Sequence, residues 1–429
     1  MAIERYGVNS YGPGKVRHVP IVRAGKWIFG TGLRATNALG LIDPGVSRDD
    51  RPLDPPPRAQ REAEFIFRRL GRELAAAGGA LSSVIRVDQY FPHWRAVDPY
   101  HVARKQALGG VAPPSTSVLV SGLLSPSAQM DVQVIATTQD SALAPKQIGV
   151  AGVSAPKESG YSPCTRVGDL VFVAGQLARD ETGGIAPEAR VPPGQLWKGT
   201  RIALETRYLV EKRLRPALQA AGSDLDLVLK AQVYLSHAED LPAFWQAWSA
   251  CCGGTLPPTL VVPVRHPAFG TEDATIEINV VAATASARSR IRDIECGIDL
   301  VAPGMIPARS FDGLLFVAGL MGIDSAGLVP DARVDRCLPF YQAPARAQMA
   351  DILGKARKIF AAAGSDLENV VRVLQFHSDL GDFYDTYTEW RSAVGDGGLP
   401  FSAVEVGKDL FVPGASLIVD LWGSVPGAA

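Results

Sequence analysis

The stretch LVFVAGQ, from Leu170 to Gln176, decides how this chain is read, because close variants of it occur twice more. KWIFGTG spans Lys26 to Gly32, and LLFVAGL spans Leu314 to Leu320. Each is a short apolar run rich in β-branched and aromatic residues, which predicts a buried strand ending at Gly32, Gly175 or Gly319. Downstream of each lies a second matched block. AAAGGALSSVIRVDQYF (Ala75 to Phe91) recurs as QAAGSDLDLVLKAQVYL (Gln219 to Leu235) and as AAAGSDLENVVRVLQFH (Ala361 to His377). A third block follows: APPSTSVLV (Ala112 to Val120), LPPTLVVPV (Leu256 to Val264) and LPFSAVEV (Leu399 to Val406). The order is the same each time and the period is roughly 143 residues, the signature of an internal repeat.

Between the first two blocks the pattern turns helical. Ala63, Ile66, Phe67, Leu70, Leu74 and Ala77 fall on one face in the first copy; Met349, Ile352, Leu353, Ala356, Ile359, Phe360 and Ala363 do so in the third. Gly78 and Gly364 follow as C′ residues. Pro216 sits inside the corresponding helix of the second copy, where a kink or break is expected. A strand carrying a basic residue and an aromatic comes next (Arg86 and Tyr90, Lys230 and Tyr234, Arg372 and Phe376), then a shorter helix and two closing strands. Each copy therefore reads strand–helix–strand–helix–strand. The joins near residues 139–160 and 285–306 read as linkers rich in small, Pro, Gly and polar residues. Asn37 to Pro57, with its run Pro55 to Pro57, reads as a surface loop inserted in the first copy.

Composition narrows the classes of function. Forty-three basic residues stand against 44 acidic ones, a formal net charge of −1. That balance argues against nucleic acid or an anionic membrane as the main partner. No apolar run approaches the ~20 residues needed to cross a bilayer, and the start, MAIERYGVNS, has no apolar core of a secretory signal. Five cysteines without a framework suit a reducing cytoplasm. The six histidines show no metal-ligand spacing and no C-x-x-C occurs, so neither a metal site nor a cofactor is expected.

The repeated blocks resemble the YjgF/YER057c/UK114 (RidA) family: a strand ending in a Gly-Gln turn, a helix ending in Ala-Ala-Gly, a strand with an aromatic, a Pro-led strand and an acidic last strand. The second copy, with VFVAGQ and TIEINVVAA, is nearest to that pattern. The resemblance implies an α/β (α+β) fold of the chorismate mutase-like kind, repeated as three tandem domains over residues 1–140, 155–287 and 300–429. Each would be a mixed sheet with two helices on one face, and the three would pack as an intra-chain pseudo-trimer, a monomer with further self-association left open. It also implies small-molecule clefts between domains, where the family typically hydrolyses reactive imines and enamines. A sheet with two helices on one face leaves its other face to be buried against neighbours, which the trimeric packing would do.

Carried over position by position, the family's carboxylate-gripping arginine falls on Ser115, on Thr259, and on Phe401 or Ser402. The family's water-positioning glutamate falls on Asp131, Glu277 and Ile418, with Asp420 on the same strand face as Ile418. Ser or Thr cannot reproduce a bidentate, permanently charged grip. Glu277, in the apolar strand TIEINVV, is the leading catalytic candidate, with Asp131 and Glu405 behind it. Burial would raise the pKa of such a carboxyl and suit it to moving a proton from water. Thr259, Ser115, Gly175 and Gln176 are substrate-binding candidates, and Arg34, Arg179, Arg265 and Arg309 are candidate replacement cations. Cys164 falls where the family often carries a pocket aromatic. The expected function is that of a hydrolase, deaminase or lyase acting on an imine, enamine or carboxylated metabolite. The alternative is a metabolite-binding, regulatory or scaffold protein without catalysis.

Overall fold

The computed structural model describes residues 2–11, 16–47, 56–153, 160–195, 197, 199–335, 337, 342–407 and 410–427. The expected loop Asn37 to Pro57 is therefore covered only in part: Pro44–Ser47 forms a turn of helix, and Pro55 lies outside the described residues.

Three large mixed sheets carry the structure. In the first, the spatial order is Ile3–Tyr6, Ile21–Ala24, Trp27–Leu33, Asp131–Thr137, Val84–Phe91 and Ser115–Leu119. Neighbours run antiparallel except the last pair, which is parallel and joined through the helix Val97–Leu108. A parallel pair needs such a crossover, since a tight turn can only reverse the chain. The second sheet repeats the order with Lys146–Ile148, Cys164–Val167, Leu170–Gln176, Ile276–Ala283, Val228–Leu235 and Thr259–Pro263. The third runs Arg292–Ile294, Ala308–Phe311, Leu314–Val317, Leu417–Ser424, Val370–His377 and Phe401–Glu405, and ends on Gly122–Leu123 from the first third of the chain. The joins are thus more than linkers. Lys146–Ile148 and Arg292–Ile294 pair with the hairpin strand that follows each, where they satisfy an otherwise open edge.

Long helices back each sheet. Arg58–Ala76 buries Ala63, Ile66, Phe67, Leu70 and Leu74 against Ile28, Val84, Val87, Val132 and Val134. Pro344–Ala362 does the same with Met349, Ile352, Leu353, Ala356, Ile359 and Phe360. Both helices, and their counterpart, stop at a left-handed glycine: Gly78 at φ 82°, Gly222 at φ 79° and Gly364 at φ 77°. The next amide in each case reaches back to close the last turn, as Gly79 N does to Leu74 O at 2.8 Å. Pro216 does not break its helix. Val210–Leu214 winds as a π-turn between Arg201–Leu209 and Arg215–Ala220, which accommodates the missing N–H without interrupting the rod.

The faces turned away from the helices converge in layers. Trp27, Phe29, Ile85 and Ile135 from the first sheet meet Phe172, Leu229 and Val281 from the second and Phe316, Val371 and Trp422 from the third in one apolar cluster. Beside this plug lies a buried charged layer. Arg86 pairs with Asp88 at 2.9 Å, Arg372 with Asp88 at 3.2 Å, and Lys230 with Asp420 at 2.5 Å. Gln232 accepts from Arg86 at 3.1 Å and donates to Asp420 at 2.8 Å, which links the sheets. Burial pushes the Lys230 ammonium down from its usual range, and Asp420 opposes that. Tyr90, Tyr234 and Phe376, one ring from each sheet, then pack edge to face with centroids 6.4, 5.8 and 6.3 Å apart.

Candidate active site

Strand register defines which positions correspond. Asp131, Glu277 and Ile418 lie opposite Tyr90, Tyr234 and Phe376 on antiparallel neighbours. Ser115, Thr259 and Phe401 lie beside Val87, Ala231 and Val373 on parallel neighbours. Each member of the first set faces a seam whose other wall carries a member of the second, but the three seams are filled differently.

At the seam where the second sheet meets the first there is a cavity of about 450 Å³. Gly175, Leu177, Arg179, Glu277, Tyr161 and Gly270 form one wall. Ser115 and Ser117, with Val97, Asp98, His101, Val102 and Lys105 from the following helix, form the other. Glu277 is 5% exposed. Among the described residues its carboxyl has no hydrogen-bond partner, and burial pushes its pKa up to about 8 against the modest opposing pull of Arg179. The carboxyl can sit there only because residue 175 is glycine: a Cβ at that position would lie 1.7 Å from Glu277 Oε1. Arg179 donates to the Tyr161 hydroxyl at 3.1 Å. Burial, with Arg104 and Lys105 adding repulsion, pushes His101 down to about 3, so its ring is neutral at ordinary pH.

At the seam between the first and third sheets the acid is spent on structure. Asp131 accepts from Arg34 at 2.6 Å and from Ser402 at 2.7 Å. His18 fills the adjoining space, with Nε2 against Thr31 O at 2.9 Å and Nδ1 against the Tyr11 hydroxyl at 3.2 Å. Only about 10 Å³ of space is left. At the seam between the third and second sheets the acid is absent. Ile418 replaces it, Gly319 N donates to Thr259 O at 3.1 Å, and the Thr259 hydroxyl is held between Trp248 Nε1 at 3.3 Å and Pro257 O at 2.8 Å.

Four of the expected residues, Glu277, Gly175, Ser115 and Arg179, therefore share one cavity. The others lie apart from it. Glu405 and Arg265 line a separate cavity with His237 and Ser121, and Glu405 accepts from Leu380 N at 3.1 Å. Arg309 is tied to Asp293 at 2.8 Å and to the backbone of Asp226. Gln176 turns its amide to Ala174 O and Arg213. Cys164 is buried, and desolvation pushes its thiol up to about 12, the reverse of an activated nucleophile. Asp98, His101, Lys105, Ser117 and Tyr161 enter the cavity unannounced by the sequence reading, because docking of the sheets brings them there. Among the described residues no group of three His, Cys, Asp or Glu side chains could hold a metal ion, and no helix is long and apolar enough to cross a membrane.

The family model described as endoribonuclease L-PSP matches residues 153–284. A RutC family protein of Pyrococcus abyssi is 33% identical over 130 residues, which are 30% of this chain and 90% of the relative. A RutC family protein of Saccharolobus solfataricus is 32% identical over 130 residues, with the same 30% and 90% coverage. Among solved structures, a YjgF/YER057c/UK114 family member from Mycobacterium tuberculosis is 24% identical, covers 33% of this chain and 99% of its own, and superposes with a TM-score of 0.26.

Proposed function

Because the chain belongs to the RutC/YjgF (RidA) family, we propose that it is a small-molecule hydrolase that deaminates an imine or enamine in the cleft between its first and second sheets. In this reading residues 1–140, 155–287 and 300–429 are three domains that stand in for the subunits of a trimer. One seam keeps the chemistry while the other two serve as scaffold. A single observation carries it. Of the three register-equivalent positions, only Glu277 is both acidic and open to a cavity large enough for a metabolite.

With a pKa near 8 the Glu277 carboxyl holds its proton at neutral pH. It donates that proton to the imine nitrogen, and the C=N carbon becomes more electrophilic. The resulting carboxylate then takes a proton from the attacking water as the C–O bond forms, giving a carbinolamine. That proton passes to the nitrogen as the C–N bond breaks, while the carbinolamine O–H gives its proton back to the Glu277 carboxylate as the C=O bond forms, so that ammonia and a carbonyl leave, water is the co-substrate consumed and the protonated acid is regenerated. A neutral His101 and the hydroxyls of Ser115 and Ser117 complete the polar lining. The matched model's description mentions endoribonuclease, but a formal net charge of −1 favours a small ligand over RNA.

A second reading, a metabolite-binding protein without turnover, is favoured by one observation: Ser115, Thr259 and Phe401 occupy the strand position where the family carries its arginine. The test is ammonia release from 2-imino acids generated in situ. The hydrolase reading expects Glu277→Gln to abolish it and Glu405→Gln to leave it intact. Full activity in Glu277→Gln rejects the hydrolase, and no release by the parent protein together with tight metabolite binding supports the second reading.

A further inference from the structure

The helices Val97–Leu108, Leu241–Cys251 and Phe383–Val394 occupy matching places after matching strands, and their eighth residues are Arg104, Trp248 and Trp390. All three are fully buried. Two copies thus place an indole at this position and one places a guanidinium. The guanidinium is aimed at the cavity wall: Arg104 Nη1 donates to Ser115 Oγ at 2.7 Å. Trp248 makes the corresponding contact with Thr259, without a charge.

Ser115 Oγ has a second donor. Gln89 Nε2 reaches it at 2.7 Å and gives its other hydrogen to Ser117 Oγ. The amide is oriented by Tyr100, whose hydroxyl donates to Gln89 Oε1 at 3.0 Å. A hydroxyl has two lone pairs and one hydrogen. With both lone pairs of Ser115 engaged by Arg104 and Gln89, its O–H is left to donate, and the side of Ser115 that remains is the cavity. The neighbouring guanidinium, permanently charged, strengthens that donor. Among the described residues the cavity lining also carries Lys105, Arg179 and Asp98, with Glu277 and His101 neutral.

We propose that Ser115 and Ser117 form a hydroxyl fork that binds the carboxylate of the ligand, and that Arg104 is the positioning residue that turns and charges this fork from behind the strand. The permanent charge absent from the strand is supplied one layer deeper, from the helix. This deepens the cleft reading above and rests on it: the ligand is a small carboxylate whose reacting carbon faces Glu277.

Calorimetric titration of the full chain with pyruvate and benzoate, and with pyruvamide and benzamide as neutral counterparts, tests this. It is run on the Glu277→Gln protein, so that turnover does not intervene. Arg104→Trp keeps the packing solution of the other two copies and a hydrogen bond to the serine while removing the charge. It should weaken carboxylate binding about tenfold and leave amide binding unchanged, whereas Arg104→Lys should restore part of the loss. If Arg104→Trp does not fold, Ser115→Ala gives the same comparison from the cavity wall. Equal carboxylate affinity in a folded Arg104→Trp or Ser115→Ala protein overturns the proposal, as does failure of both carboxylates to bind the parent. Carboxylate binding that depends on Arg104, in a protein whose ammonia release is indifferent to Glu277→Gln, upholds the fork and rejects only the catalytic assignment.

Discussion

Replacing Glu277 by Gln should make the protein more stable, by an amount that grows with pH. The carboxyl is raised from an ordinary 4.5 to about 8 by burial. Below the ordinary value both the folded and the unfolded chain hold the proton, and burying the group costs no ionisation energy. Between 4.5 and 8 the unfolded chain releases the proton while the folded chain retains it, so stability falls as pH rises. Above 8 both forms are ionised and the slope vanishes. The difference of 3.5 pKa units corresponds to an upper bound of about 5 kcal/mol, at about 1.4 kcal/mol per unit. Water entering the cavity reduces it, so a gain of about 3 kcal/mol at pH 8 is a reasonable target. Gln has no proton to lose, and every other titrating group is common to both proteins. Urea unfolding of the two proteins from roughly pH 4 to pH 9 therefore isolates the effect in the difference curve. A difference that stays flat with pH would refute the argument that Glu277 is a buried, neutral acid.

Three further outcomes follow from the same geometry. The rate of ammonia release should fall above about pH 8, where Glu277 loses the proton it donates; a profile still rising through pH 9 would contradict the assigned role. Gly175→Ala, whose methyl would lie 1.7 Å from Glu277 Oε1, should displace the carboxyl and lower the rate at least about tenfold, read by the same assay. Asp131→Asn should leave turnover in place but lower stability by about 3 kcal/mol, because it removes the anion paired with the buried Arg34; urea unfolding and the ammonia assay together check both halves.

Much of the scaffold was legible because it follows local rules. The buried strands Trp27–Leu33 and Leu170–Gln176 and the helix stops at Gly78 and Gly364 come from apolar periodicity and from the backbone freedom of glycine, whereas the third strand, Leu314–Val317, stops two residues short of the expected Gly319. The edge strands Lys146–Ile148 and Arg292–Ile294 were not legible, since their short polar sequences form strands only by pairing with a neighbour. The site divides in the same way. Glu277 stood out as an acid in an apolar strand. His101, Lys105 and Ser117 did not, because they line the Glu277 cavity from the far side of a seam between sheets, and nothing in their own segments marks that side as a wall. Arg104 aligns with Trp248 and Trp390, a charge where the other copies keep a buried ring, and that difference is visible in the sequence itself. Arg34 shows the opposite case, a cation near a glycine turn that closes its seam by pairing with Asp131.

The central claim is that one carboxyl in this chain keeps its proton at neutral pH while facing an open cavity. A carbon-13 NMR titration of the glutamate side-chain carboxyls, with the Glu277 signal assigned by its loss in Glu277→Gln, measures that directly. A midpoint near 8 that shifts on adding pyruvate is the predicted result. A midpoint near the ordinary 4.5, unmoved by pyruvate, would contradict it.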